Sequence, residues 1–343
     1  MISRALAAAL ALALVGCLGA RPADTAGDRR GGRRPGAQRG SASSGSIDDR
    51  VPQPPERTPE KVAPSASPSR VVVKAASRAL AASTTTLYYG DVDDDGVFAV
   101  KKDGEPTRIA RRAPVAGGLA LDNDMVAWIA SPGDVVLRAP LQGGQPSVLR
   151  DKGIFAAVAA QGGDVFIAEA VAAGGAITRI TNATTTRTAT FDGPPRGLAA
   201  DHAQVYVATP THLYKTPRDR GELTTLASGT AFERLQIDAF NAYLVAAERG
   251  VRVLVSVPKG GGPMTTLARD VRDAPIAVLG GEIYYFDASQ PQLRAIKVAG
   301  GEPRIVAESP ALARPAALAT DGREAFVATG EGPTAAILAF ALR

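Results

Sequence analysis

Beyond residue 70 the chain alternates apolar and polar positions with a period of two, and the alternation itself repeats at a longer period. A five-residue apolar run starts at Leu87, Val126, Val165, Val205, Leu244, Ile283 and Ala325, so that successive starts lie 39, 39, 40, 39, 39 and 42 residues apart. Around each run the same order of segments recurs. A Leu-Ala-x-Asp type segment precedes it, ending at Asp122, Asp201, Asp238 or Asp321, and an alternating segment such as Leu293-Arg294-Ala295-Ile296-Lys297-Val298 follows it. A glycine-rich turn comes next, as in Gly143-Gly144-Gln145-Pro146 or Gly300-Gly301-Glu302-Pro303, and a last short apolar segment ends the unit. Glycine supplies the positive φ of tight hairpin turns, and proline closes a turn where the ladder needs no donor. No window sustains apolar residues at i, i+3, i+4 and i+7 over three turns, so helical and leucine-rich repeats fit poorly. Four short antiparallel strands in every 40 residues or so predict an all-β chain folded as a β-propeller, one blade per repeat.

The ends of the repeat region favour seven blades over six or eight. The last unit stops without a fourth strand, while Arg70-Val71-Val72-Val73-Lys74 stands alone ahead of the first unit, whose opening strand is expected over residues 80–83. Pairing that N-terminal segment with the last blade would close the ring and remove two free sheet edges. Seven units of 39 residues need 273, and residues 70–343 supply 274.

The repeats resemble those of the YWTD, NHL and TolB-like propeller superfamily of secreted and periplasmic bacterial proteins. The residues that carry the resemblance are Tyr88-Tyr89-Gly90-Asp91, Tyr206-Val207-Ala208-Thr209 and Tyr285-Phe286-Asp287, with the Leu-Ala-x-Asp segments before them. No unit holds the full tetrad, so what the resemblance implies is a fold rather than an activity.

Ahead of the repeats the pattern changes twice. Residues 1–16 read as a secretory signal, a basic start ending at Arg4 followed by an Ala/Leu stretch too short to span a bilayer as a stable anchor. Leu14-Val15-Gly16-Cys17 resembles the bacterial lipobox, which implies cleavage before Cys17 and acylation of that residue. Several acyl chains, each worth about 0.8 kcal/mol per buried CH₂, would hold the protein durably on a membrane. Cys17 is the only cysteine of the chain, so no disulfide or thiolate metal site is expected. Leu18 follows it, and by the enterobacterial sorting rule the absence of Asp there points to the outer rather than the inner membrane of the cell envelope. Residues 17–69 form a Pro-, Gly-, Ser- and Arg-rich tether that cannot bury enough apolar surface to offset its ordering entropy. The pairs Arg29-Arg30 and Arg33-Arg34 are either a solvated spacer or a contact to anionic headgroups. The propeller itself is assigned to residues 70–343.

Charge alters the picture little. The net charge of +5 comes from the leader and tether, because residues 71–343 hold 28 basic and 28 acidic residues. A nucleic-acid partner would need a basic excess on one folded face, and none is expected. Mean hydropathy of +0.01 leaves no room for spanning helices among the repeats.

Candidate chemistry is sparse. The chain has two histidines, His202 and His212, which are read as solvated loop residues, and three asparagines, of which Asn123 and Asn241 sit at equivalent turns. Asp91-Val92-Asp93-Asp94-Asp95-Gly96 matches the opening of a calcium loop, since alternate carboxylates on a tightly turning backbone can wrap a hard cation. Asp91, Asp93 and Asp95 would be the ligands of a weak site. Ala99 and Lys102 occupy later ligand positions, which favours a solvated acidic hairpin that uses Gly96 for its turn. Aligned at their fifth positions, the apolar runs place Asp91, Glu169, Glu248 and Asp287 on the face where propellers usually bind, either as a negative rim or as caps and ion pairs. Trp128, Tyr89 and Tyr285 share the third position and are expected to pack between blades. The resulting expectation is a monomeric, membrane-anchored, non-enzymatic binding or scaffold lipoprotein whose ligand is a protein or carbohydrate. A calcium-dependent hydrolase or lyase of the lactonase-like propeller type is the alternative; no other cofactor is expected.

Overall fold

The computed structural model describes residues 70–342 apart from 103, 112–113, 183 and 331. Cys17, the signal segment and the tether lie outside the described residues. The strands form seven four-stranded antiparallel sheets, each a β-propeller blade. Blade 2 is representative, with Val115–Asp122 innermost, then Met125–Ala130, Val135–Pro140 and Ser147–Asp151 at the outer edge. Among the described residues the helical elements are two short 3₁₀ turns, Pro310–Ala313 and Gly332–Thr334. No helix among the described residues is long and apolar enough to cross a membrane.

Closure follows the expected route. Blade 7 takes Pro315–Thr320, Glu324–Thr329 and Ala336–Ala341 from the C-terminus and Arg70–Val73 as its outer strand. Arg70 pairs with Ala339 and Val71 with Leu338, and the Arg70 guanidinium grips Glu324 through Nε at 3.1 Å and Nη2 at 2.7 Å. The opening strand of blade 1 runs Ser77–Ala82, three residues earlier than the sequence suggests. Ser83 ends that strand because its hydroxyl accepts from the Thr86 N–H at 3.1 Å and so belongs to the turn.

The core is divided into seven apolar clusters, one at each junction between neighbouring blades. The second strand of each blade is covered on both faces, so it reads as a continuous apolar run rather than an alternating one. Val126, Ala127, Trp128, Ile129 and Ala130 are all buried. Trp128, Tyr89 and Tyr285, at most 2% exposed, pack between blades as expected. Gly197 lets two inner strands approach closely, since a Cβ there would lie 2.7 Å from that of Leu235.

The Asp that follows the inner strand in blades 4, 5 and 7 caps the next turn. Asp201 accepts the N–H groups of Ala203 and Gln204, Asp238 those of Phe240 and Asn241, and Asp321 those of Arg323 and Glu324, all at 2.7–2.9 Å. Asp122 departs from the rule and bonds the N–H groups of Gly162 and Gly163 in the next blade.

Blades 4 and 5 are stapled at the same end by Lys259. Its ammonium meets Asp201 at 2.8 Å and lies 5.0 Å from the Tyr206 ring centroid. Burial pushes the Asp201 carboxyl up, but Lys259 and the two turn N–H groups outweigh it and hold it down at about 2. A carboxyl depressed in the folded state adds stability that is present above its unfolded value near 3.8 and lost as the pH falls toward 2. The contribution is on the order of 2 kcal/mol. Melting curves between neutral pH and pH ~2 should therefore show a smaller acid-induced loss in Lys259→Met than in the parent chain. Identical acid limbs would remove Lys259 from this role.

Candidate functional site: the mouth of the central channel

Each inner strand begins beside the end of the second strand of its own blade, as the pairs Ser77 with Asp91, Gly197 with Ala208 and Pro315 with Thr329 show. This end of the ring is the mouth face. Arg70 enters at the opposite face, beside Glu324 at the start of the second strand of blade 7.

The acids expected on the mouth face are there, and each is engaged locally. The Asp91 carboxylate accepts the N–H groups of Asp93 and Asp94 at 2.9 and 3.0 Å and so caps its own hairpin. Glu169 is 4% exposed and is met by Thr178 at 3.1 Å, Arg187 at 3.3 Å and Arg150 of the preceding blade at 3.5 Å. Glu248 pairs with Arg269 at 2.8 Å. Asp287 accepts from the Ser289 and Gln290 N–H groups at 2.9 Å and faces Arg294 at 3.1 Å. The capping and ion-pairing option raised by the sequence is the arrangement found.

The acidic hairpin differs from expectation in one detail. Its left-handed residue is Asp95, at φ 46°, and not Gly96. Gly96 is needed for a different reason, because a Cβ would lie 2.7 Å from the Ala110 carbonyl oxygen on the adjacent strand. Asp93 and Asp95 are exposed, and Asp94 is bonded to Arg108. Among the described residues no three His, Cys, Asp or Glu side chains gather as a metal ion would require. His202 lies exposed in a turn on the entry face; His212 stacks on Tyr214 at 5.3 Å and contacts the Thr211 hydroxyl at 2.9 Å.

The mouth opens into a cavity of about 270 Å³ lined from all seven blades. Arg78, Arg196 and Arg234, from blades 1, 4 and 5, are the charged residues lining it, and Gln236 adds one neutral polar side chain. The remaining lining residues are glycine, proline and aliphatic, including Leu119, Val158 and Leu318. Two of the arginines lie within inner-strand bulges, as do Ala116, Gly118, Ala156 and Ala316 in blades 2, 3 and 7. The register between the first two strands shifts between Ser77 and Leu80 in blade 1 and between Glu233 and Gln236 in blade 5. Such extra residues turn a side chain off the normal alternation. Arg234 also holds a left-handed φ of 59°, a conformation that costs a non-glycine residue on the order of 1 kcal/mol.

Two carboxylates stand beside these arginines. Glu233 lies 3.6 Å from Nε of Arg196, and Asp273 lies 3.3 Å from Nε of Arg234 and 3.0 Å from Arg252. Burial and the repulsion of Asp273 hold the Glu233 carboxyl above its usual range despite the neighbouring guanidiniums. Arg272, nearby in sequence, has a different task. It donates to the carbonyls of Leu312, Ala313, Ala288 and Gln290 and ties blade 6 to blade 7.

The arginine cluster escapes a reading based on total charge, since 28 basic and 28 acidic residues balance over residues 71–343. Its signal is positional. Aligning the units shows Arg78, Arg196, Arg234 and Arg314 each within one residue of the inner-strand start.

No protein-family model matches the chain, and no curated protein matches it. Solved structures do. A streptogramin B lyase superposes with a TM-score of 0.66 at 10% identity, covering 80% of this chain and 98% of that one. Virginiamycin B lyase from Staphylococcus aureus gives 0.63 at 12% identity, with 80% and 99% covered. An oligogalacturonate lyase in complex with manganese gives 0.63 at 11% identity, with 80% and 91% covered. Identities this low establish the seven-bladed fold and nothing about the activity.

Proposed function

We propose that the protein is a membrane-anchored β-propeller binding or scaffold lipoprotein of the bacterial cell envelope, held through Cys17, which receives its partner at the channel mouth without transforming it. The observation that carries this reading is the lining of that mouth. Among the described residues, no histidine, carboxylate, hydroxyl or thiol lines the cavity, so the usual groups for general acid–base or nucleophilic chemistry are not assembled there. A calcium-dependent hydrolase or lyase would need oxygen ligands around an axial cation, whereas the axis presents guanidiniums. The neighbours named as lyases share the scaffold, and scaffold does not carry chemistry with it.

The first described strand, Arg70–Val73, starts on the face opposite the mouth. Replacing Cys17→Ser removes the acyl acceptor. The variant is expected to lose incorporation of labelled palmitate and to leave the membrane fraction. Firm membrane retention of the unlabelled variant would place the anchor elsewhere and overturn this part of the reading.

A further inference from the structure

We propose that the channel mouth is an anion site in which Arg78, Arg196 and Arg234 together grip a ligand carrying two or more carboxylate or phosphate groups. The inference deepens the binding function above and rests on its placing the partner at the mouth.

Arrangement, local charge and backbone geometry support it. Blades 4 and 5 are neighbours and blade 1 lies across the ring from them, so the three guanidiniums face one cavity from two sides. A monovalent anion would satisfy one side, whereas a ligand with two or more anionic groups can bridge both. On the side of blades 4 and 5 the local charge is positive even with the adjacent acids included, since Arg196, Arg234 and Arg252 stand against Glu233 and Asp273. The acids meet Arg196 and Arg234 through Nε, which steadies each side chain along one edge of its planar fork. Guanidinium forks match the paired oxygens of carboxylate and phosphate, and here Arg78, Arg196 and Arg234 are all exposed at the mouth, within reach of an incoming anion. Leu119, Val158, Leu198 and Leu318 make the floor apolar, which suits a ligand with a carbon skeleton between its anionic groups. Five of the seven inner strands carry a bulge at this level, and in blades 1 and 5 the bulged segment holds arginine, with Arg234 in a left-handed conformation.

The test uses the full chain purified in detergent, titrated calorimetrically at fixed ionic strength with citrate and with pyrophosphate, and with acetate as the single-charge control. Saturable binding of citrate, pyrophosphate or both is expected, with acetate far weaker, and the preferred probe separates a carboxylated from a phosphorylated ligand. Each of Arg78→Gln, Arg196→Gln and Arg234→Gln should weaken binding about tenfold or more. Arg323→Gln on the entry face should change nothing, and melting curves check that each variant is folded. Absence of saturable binding by both multivalent probes would overturn the anion site, as would undiminished binding in a folded triple variant. Either result leaves open a neutral partner at the mouth, so it fails separately from the binding function itself.

Discussion

Removing residues 70–74 should lower the melting temperature of the propeller by 10 °C or more, on the order of 3–6 kcal/mol, and leave a chain prone to aggregate. Those residues supply the outer strand of blade 7, and their loss bares the edge of Ala336–Ala341, whose sequence Ala-Ile-Leu-Ala-Phe-Ala is almost wholly apolar. Val72 and Val73 pack on the cluster between blades 7 and 1, and Arg70 holds Glu324 bidentately, so ladder bonds, apolar burial and an ion pair go together. An unpaired apolar edge is also a template for pairing with another chain. The matched deletion of residues 21–69 should leave the melting temperature nearly unchanged, because the paired strand starts at Arg70. Equal melting temperatures for the two truncations would contradict closure by the N-terminal strand.

Trp128→Ala should destabilise the ring by about 3–5 kcal/mol, a fall of roughly 6–15 °C. Trp128 is fully buried and packs in the cluster with Tyr88, Val97 and Ile109 of blade 1 and Leu137 of its own blade. Its indole N–H has no hydrogen-bond partner, so the side chain contributes through volume and apolar surface. Trp128→Phe, which keeps most of the ring and removes the unpartnered N–H, should therefore lose less than half as much. A Phe variant as unstable as the Ala variant would mean that the N–H, not the packing, matters.

What could be read from the sequence and what could not have different physical origins. Blade number, closure and the burial of Trp128, Tyr89 and Tyr285 were legible because the second strand lies between two blades and must be apolar throughout. That makes it the clearest signal of each unit. The caps at Asp201, Asp238 and Asp321 follow from turn chemistry, which acts within three residues. The start of blade 1 was misplaced because the bulge between Ser77 and Leu80 breaks the two-residue alternation. That irregularity holds Arg78 and a second bulge holds Arg234, whereas Arg196 precedes an unbroken ladder. Arg78, Arg196 and Arg234 are 38 to 156 residues apart in the chain, and only ring closure brings them to one cavity. Bulk neutrality diluted them further, whereas the visible acids at Asp91, Glu169, Glu248 and Asp287 drew attention to a face on which each is locally engaged.

The claim at the centre of this account is that the protein works by binding at the channel mouth. Its most direct measurement places a photoreactive phenylalanine analogue at Ala156 or Ala316 in the mouth, and in a separate protein at Phe240, which is 79% exposed in a turn on the entry face. The full chain is produced with its own signal and tether, the cells are irradiated, and the adducts are resolved by mass spectrometry. The account predicts adducts from the mouth positions that diminish in an Arg196→Gln, Arg234→Gln background, with none from Phe240. Adducts from Phe240 with none from Ala156 or Ala316 would contradict it.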